Sequence, residues 1–280
     1  MKNRVILGLD ISTHCTGISI VYVNEEGELK PVVVTHLRPK IPTKIKGIET
    51  LFLKCELFMS KLEEILLENK LYIEKDDIKK CLITDIVIEE PLLSSNNTET
   101  VATLLRYNGM IAQNVYKMLN IVPQFISSYD ARKYGMPSLM AVRKYDKKGN
   151  TYPVKKIKSC INKDELVLFG AYPFDCAKKM IIWNYVSEKF PEIQWVYDKK
   201  GELSKENFDA SDSLICVMGY VNKNKYNGEE PKIVDFNENI VTEIDDNNKE
   251  IQKIYMLSYH VNFCGEIVYK YIEIHEDKNK

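Results

Sequence analysis

The sequence predicts a mixed α/β fold with the core order βββαβαβ. Three observations predict it: three short β-branched runs follow one another at the start, two long helix-period segments come next, and a further apolar run follows each helix. Residues 5–10 (VILGLD) and 17–23 (GISIVYV) are separated by the turn-like STHCT, and 31–37 (PVVVTHL) follows EEGE. Three such runs in succession predict an antiparallel meander. After the Pro-punctuated, basic LRPKIPTKIKG, residues Leu51, Phe52, Phe58, Leu62, Ile65 and Leu66 recur at helical spacing within 49–69. That is an amphipathic helix with one face for a sheet. Residues 85–89 (DIVIE) are nearly all apolar, as in a strand buried on both faces. Pro91 stops the strand, SSNNTET offers capping side chains, and 101–119 predict a second amphipathic helix carrying Gly109 and Ala112. Residues 121–127 read as the fifth strand.

Two more helices are predicted at 175–189 and 208–221, with a basic insertion of loop character at about 136–168. Beyond residue 226 the pattern changes to 254–261 and 266–274 around NFCG, which reads as an appended β-hairpin. The expected organisation is a domain over 1–226 and an acidic extension over 227–280.

At 280 residues, with 45% apolar and 28% charged side chains, the chain falls outside the disordered, collagen-like and membrane classes. No stretch approaches the ~18 apolar residues of a membrane span, and the opening MKNRVILGLD is charged too early for a secretion signal. A cytoplasmic protein with no membrane partner is the expectation. Seven scattered cysteines, with no C-x-x-C pair, predict reduced thiols and no structural zinc site. The formal net charge of -1 conceals a cancellation: residues 131–163 hold ten bases and one acid, whereas 227–280 hold twelve acids and six bases.

Four carboxylates occupy costly places. Asp10 closes an apolar strand, Glu89 closes a buried one, and Asp209 and Asp212 share one face at the start of a helix. Buried acids pair, neutralise or bind a metal, and a set without matching cations suits hard divalent ions such as Mg²⁺ or Mn²⁺. Glu90 points away from Glu89 in a strand, so only one of the two can face such a site. Taken singly, each aspartate has an ordinary alternative as a turn or helix-cap residue.

ILGLDISTHCTGISIV resembles the opening hairpin of the RuvC-type Holliday junction resolvases, within the ribonuclease H-like superfamily; DIVIEEPLLSSNNTETVATLLRYNGMIA and FDASDSLICVM are similar to that family's Glu strand with its following helix and to its D-A-A-D-A helix. The resemblance spans roughly residues 4–222 with a gap over the basic insertion. It implies a ribonuclease H-like sheet and a Mg²⁺-dependent endodeoxyribonuclease that leaves 5′-phosphate and 3′-hydroxyl ends. It also implies that Asp10, Glu89, Asp209 and Asp212 hold two Mg²⁺ ions, replaceable by Mn²⁺, with Lys179 beside the scissile phosphate and no organic cofactor. The family's glycine after the first aspartate is Ile11 here, and its junction-stacking aromatic falls on Leu92.

The implied partner is branched DNA, above all the four-way junction, whose two-fold symmetry calls for a homodimer. The second helix, with Gly109 and Ala112, is the candidate dimer face. Arg132, Lys133, Arg143, Lys144, Lys155, Lys156, Lys158 and Lys178 are the candidate DNA contacts, since lysines and arginines on phosphates release counterions. Tyr134, Tyr145 and Tyr152 are interleaved with them for stacking. Three other readings stay open: a general debranching nuclease; a sugar-kinase or actin-like ATP-binding protein using Ser12, Thr13 and Thr16 on phosphate; and a catalytically idle DNA-binding protein. The divergence suggests a phage or mobile element, acting in a host cytoplasm.

Overall fold

The computed structural model of the chain describes residues 3–75, 78–91, 97–136, 141–145, 151–152, 167–169, 178–225, 232–244, 250–261 and 267–274. Two compact units emerge, Met1–Gly135 with Ala177–Val221, and Met136–Cys176 with Asn222–Lys280.

In the first unit the predicted meander is present as β1 (Arg4–Ile11), β2 (Thr16–Val23) and β3 (Leu29–Leu37). Helix α1 (Ile48–Glu68) leads through a short hairpin, β4 (Tyr72–Lys75) and β5 (Ile78–Cys81), to β6 (Asp85–Glu89). Helix α2 (Thr98–Leu119) begins where Asn97 accepts from the Glu99 and Thr100 amides, and it ends at Asn120 in the left-handed region with φ 55°. Then come β7 (Gln124–Ile126), α3 (Ser128–Gly135), α4 (Lys178–Lys189) and α5 (Glu206–Lys225).

The main sheet has the order β3-β2-β1-β6-β7, antiparallel across β3, β2 and β1 and parallel from β1 through β6 to β7. Numbered within the sheet this is 3-2-1-4-5, the mixed order typical of ribonuclease H-like proteins. One face is apolar: Leu7, Leu9 and Ile11 of β1, Ile18 and Ile20 of β2, and Ile86 and Ile88 of β6 are buried against α1 and α2. Phe58 and Leu62 of α1 and Ile111 and Val115 of α2 are fully buried there.

The other face is built from small residues. Gly8 pairs with Ser19 and Asp10 with Gly17, so these four share one side of the sheet. A Cβ on Gly17 would overlap the Asp209 carbonyl, and one on Gly8 would lie 2.6 Å from the Ser213 carbonyl. Glycine is what lets the α5 backbone lie directly on β1 and β2. Arg4 and Tyr220 both reach Asp85, at 3.5 and 3.1 Å, and tie the C-terminal half of α5 to β1 and β6. At its start, Asn207 clamps the incoming chain by bonding both the amide and the carbonyl of Val196.

Two elements escaped the sequence reading in this unit. The β4–β5 hairpin lies in the stretch between the first helix and the fourth predicted strand. Helix α3 stands between the fifth predicted strand and the basic insertion, where no element was predicted: Ser127 accepts from the Asp130 amide as its cap, while SYDARKYG lacks an apolar period. A Cβ on Gly219 would come within 2.6 Å of the Ala131 Cα, so α3 and α5 are in backbone contact.

In the second unit, β8 (Ala141–Tyr145), β9 (Thr151–Tyr152) and β10 (Val167–Phe169) form a small sheet of order β10-β8-β9 within the segment read as loop. Strands β11 (Lys232–Ile244), β12 (Glu250–Val261) and β13 (Ile267–Ile274) form an antiparallel meander. The hairpin expected at 254–261 and 266–274 corresponds to β12 and β13; β11 carries no strand signal in sequence because its apolar residues are diluted by Asp235, Glu238 and Glu243.

Candidate metal centre

The acids meet at the C-terminal ends of the inner strands β1 and β6. Asp10 sits one residue before the end of β1, on the face covered by α5. Parallel register sets Leu9 beside Ile88 and so carries Asp10 level with Glu89, the last residue of β6. Asp209 lies in the first turn of α5, where the helix dipole favours negative charge, and Asp212 follows one turn later on the same face. Asp10, Asp209 and Asp212 each offer a carboxylate oxygen, and these three atoms lie within 4.8 Å of one another. Glu89 is close enough to raise the titration of both Asp10 and Asp212. Glu90 is exposed, its amide donating to the Ile126 carbonyl.

The electrostatics are those of crowded, partly buried acids. Burial first, then Glu89, Asp212 and Asp209, hold the Asp10 carboxyl well above its ordinary range. Asp212 is pushed up to about 7 by burial and by Glu89, against the opposing charges of Lys179 and Arg132. Glu89 is also raised, by burial, although Arg132 and a hydrogen bond from Cys216 pull it down. Two buried thiols serve the acids. The Cys216 Sγ lies 3.7 Å from Glu89 Oε2, and Cys15, in the β1–β2 turn, lies within the influence of the Asp209 carboxylate. Burial and the surrounding acids push both thiols upward, so they remain neutral donors.

Two cations act on the cluster. Lys179, near the start of α4, places its Nζ 3.2 Å from Asp209 Oδ1. Its titration is lowered by burial, but Asp209, Asp212 and Asp10 outweigh that and raise it. Arg132 of α3 acts on Glu89 and Asp212. Its neighbour Lys133 is 2% exposed, with its ammonium over the rings of Tyr129 and Tyr134, so this expected DNA contact is packed inside the unit. Tyr134, named for stacking, is likewise buried. Arg143 and Lys144 fall on β8 and Lys178 opens α4, whereas Lys155, Lys156, Lys158 and Leu92 lie outside the described residues.

A divalent cation fits this donor set. All the ligating atoms are carboxylate oxygens, suited to Mg²⁺ or Mn²⁺, and a cation would relieve the repulsion that raises Asp10 and Asp212. Sequence reasoning missed Cys216, although its position four residues after Asp212 puts it on the same helical face. Nothing local marks Cys15.

Three aspartates converging on a sheet of this strand order define a class of site suited to a hard divalent cation. No protein-family model matches the chain, and no curated protein matches it in sequence. Among solved structures it is similar to RuvC of Thermus thermophilus, at 12% identity and a TM-score of 0.43 over 81% of this chain and 99% of that one. The same enzyme in complex with a Holliday junction substrate gives 9% identity and 0.46 over 82% and 99%. The yeast mitochondrial Holliday junction resolvase Ydc2 gives 12% and 0.39 over 78% and 77%. Among the described residues, no helix is long and apolar enough to cross a membrane.

Proposed function

We propose that this chain is a divalent-metal-dependent endonuclease of branched DNA, and that its substrate is the four-way junction, cut symmetrically by two copies. The observation that carries the reading is the meeting of Asp10, Asp209 and Asp212, with Glu89 at their side, at the C-terminal ends of β1 and β6. These four residues would hold the metal, two Mg²⁺ ions in the fullest form of the reading. What such ions supply is activation of water and neutralisation of charge on the scissile phosphate and its leaving oxygen. Strand β1 fixes Asp10, the seated helix α5 fixes Asp209 and Asp212, and the neutral Cys216 thiol orients Glu89. Lys179 offers a cation to the charge that develops on phosphorus-bound oxygens, and Arg132, whose charge is felt by Glu89 and Asp212, offers a second.

The ATP-binding alternative needs Ser12, Thr13 and Thr16 free for phosphate; the Thr13 hydroxyl lies 3.2 Å from His14 Nδ1. Ser12 Oγ donates to the Cys15 carbonyl at 2.7 Å and accepts from the His14 and Cys15 amides, while Thr16 is 1% exposed. The Ser12 hydroxyl is spent on the turn and Thr16 is buried in β2, which favours the nuclease. The homodimer follows from the substrate's symmetry. Its proposed face is the outer side of α2, where Leu105 and Tyr116 are exposed and a Cβ on Gly109 would meet nothing. On this reading residues 1–226 carry the nuclease, and 227–280 are an acidic extension of it.

The test is purified protein with Mg²⁺ on a labelled four-way junction, a linear duplex and a three-way flap, beside Asp10→Asn. Paired symmetric nicks with 5′-phosphate ends, lost by more than about 100-fold in the variant, are expected; even an outer partner of a metal site is worth 10–100-fold. Equal cutting of flaps and junctions would reduce the protein to a debranching nuclease. Binding without cutting would favour the idle protein, and ATP turnover would remove the nuclease reading altogether.

A further inference from the structure

Beside the acids lies a cavity of about 360 Å³ lined by His14 and Cys15 of the β1–β2 turn, Arg38 beyond β3, Lys179, and Lys205, Glu206, Phe208 and Asp209 around the start of α5. We propose that this cavity is a second phosphate subsite, which takes the DNA phosphodiester flanking the scissile one and holds it through Lys205, Arg38 and Lys179. The proposal rests on the nuclease reading and extends it, because none of His14, Arg38 and Lys205 belongs to the basic segment expected to contact DNA.

Charge decides the class of ligand. Three permanent cations, Arg38, Lys179 and Lys205, face two acids, Glu206 and Asp209. Glu206 is already engaged: it accepts from Ser204 Oγ at 2.5 Å and from Arg38 at 2.9 Å, and these bonds hold its carboxyl down at about 2. Asp209 faces the metal cluster as well as Lys179. With Arg38 paired to Glu206 and Lys179 to Asp209, the cavity keeps one cation in excess, Lys205. Lys205 is exposed, and Arg38 keeps donors beyond the one given to Glu206. Phe208 gives the cavity an apolar wall on which a sugar or base can rest.

Position decides the role. Arg38 follows the edge strand β3, the acids stand on the central β1 and β6, and Arg132 follows the opposite edge strand β7. Five strands at ~4.8 Å spacing place the two edges about 19 Å apart, longer than one phosphodiester. A strand whose scissile phosphate sits at the acids therefore runs across the C-terminal ends of β1 and β6, with Arg132 on one side of the cut and the cavity on the other.

The experiment is lysine footprinting of the full-length protein in Ca²⁺, with labelled four-way junction or linear duplex, read by mass spectrometry alongside binding by fluorescence anisotropy. Lys205 and Lys179 are expected to become protected from acetylation when DNA binds, while Lys200, exposed on the turn before α5, stays reactive. Lys205→Glu is expected to weaken binding severalfold and to lower the slope of log affinity against log salt by about 1, with Lys200→Glu leaving both near wild type. If DNA binds while Lys205 remains fully reactive, or if the two variants weaken binding equally, the subsite is wrong and the nuclease reading stands on its cleavage assay. If no DNA binds under any condition, both fall together.

Discussion

The two faces of the main sheet are made of the same three strands and do opposite things. Toward α1 and α2 they present Leu7, Leu9, Ile18, Ile20, Ile86 and Ile88, and the layer between is closed and apolar. Toward α5 they present Gly8, Asp10, Gly17, Ser19 and Glu89, and the helix that covers them brings two more acids. The first face gains stability from buried area, at roughly 25 cal/mol per Å². The second loses some to carboxylates held near one another, and it keeps its geometry through backbone contact at glycine. A site of like charges can exist here because the opposite face is strong enough to hold the sheet.

Four outcomes would break or sharpen that contrast. Phe58→Ala, on the apolar face, is expected to cost about 3–5 kcal/mol in chemical denaturation while leaving metal affinity of the folded protein unchanged. Gly17→Ala, on the other face, should cost a comparable amount and also abolish metal binding by calorimetry, because the methyl displaces the α5 backbone at Asp209. A Gly17→Ala protein that kept full metal affinity would refute the account of how the helix is seated.

The pH dependence has a definite sign. The folded-state titrations of Asp10, Glu89 and Asp212 are raised, so the folded protein binds more protons than the unfolded chain between about pH 4 and about pH 7. Without metal, the cluster's contribution to stability should fall across that window, by on the order of a few kcal/mol. Asp10→Asn should flatten the loss, and Mg²⁺ or Mn²⁺ should reverse it at neutral pH. A metal-free melting temperature unmoved by either change would contradict the crowding of the acids.

Gly109→Ala gives the smallest expected change. A Cβ there meets nothing, so the isolated chain should gain about 0.5–1 kcal/mol from better helix propensity. Light scattering separates this from an effect on association: a variant that is more stable yet shifted toward monomer would locate the dimer contact at α2.

Much of this was legible in the sequence. The β1–β3 meander, α1, α2 and β6 follow from apolar period and from capping residues such as Asn97, since their burial is set by neighbours in the chain. The acids could be picked out because a carboxylate at the end of an apolar strand conflicts with its surroundings. What escaped depends on contacts between distant residues. Cys216 meets Glu89 across 127 positions, and Arg38 meets Glu206 across 168. Helix α3 was hidden because it buries Ala131, Lys133 and Tyr134 against other elements and carries no apolar stripe of its own.

The seating of α5 on Gly8 and Gly17 has a consequence for how the protein comes into being. The strands and helices of the apolar face are complete by residue 126, but the acids of α5 arrive only some 80 residues later. At synthesis rates of about 5–20 residues per second, Asp209 emerges roughly 6–24 seconds after Glu89. Until then the nascent chain holds a folded-size sheet with two acids and an uncovered glycine groove. The last of the described helices to emerge is also the one that brings Asp209 and Asp212 to Asp10, so the three aspartates cannot converge before α5 is made.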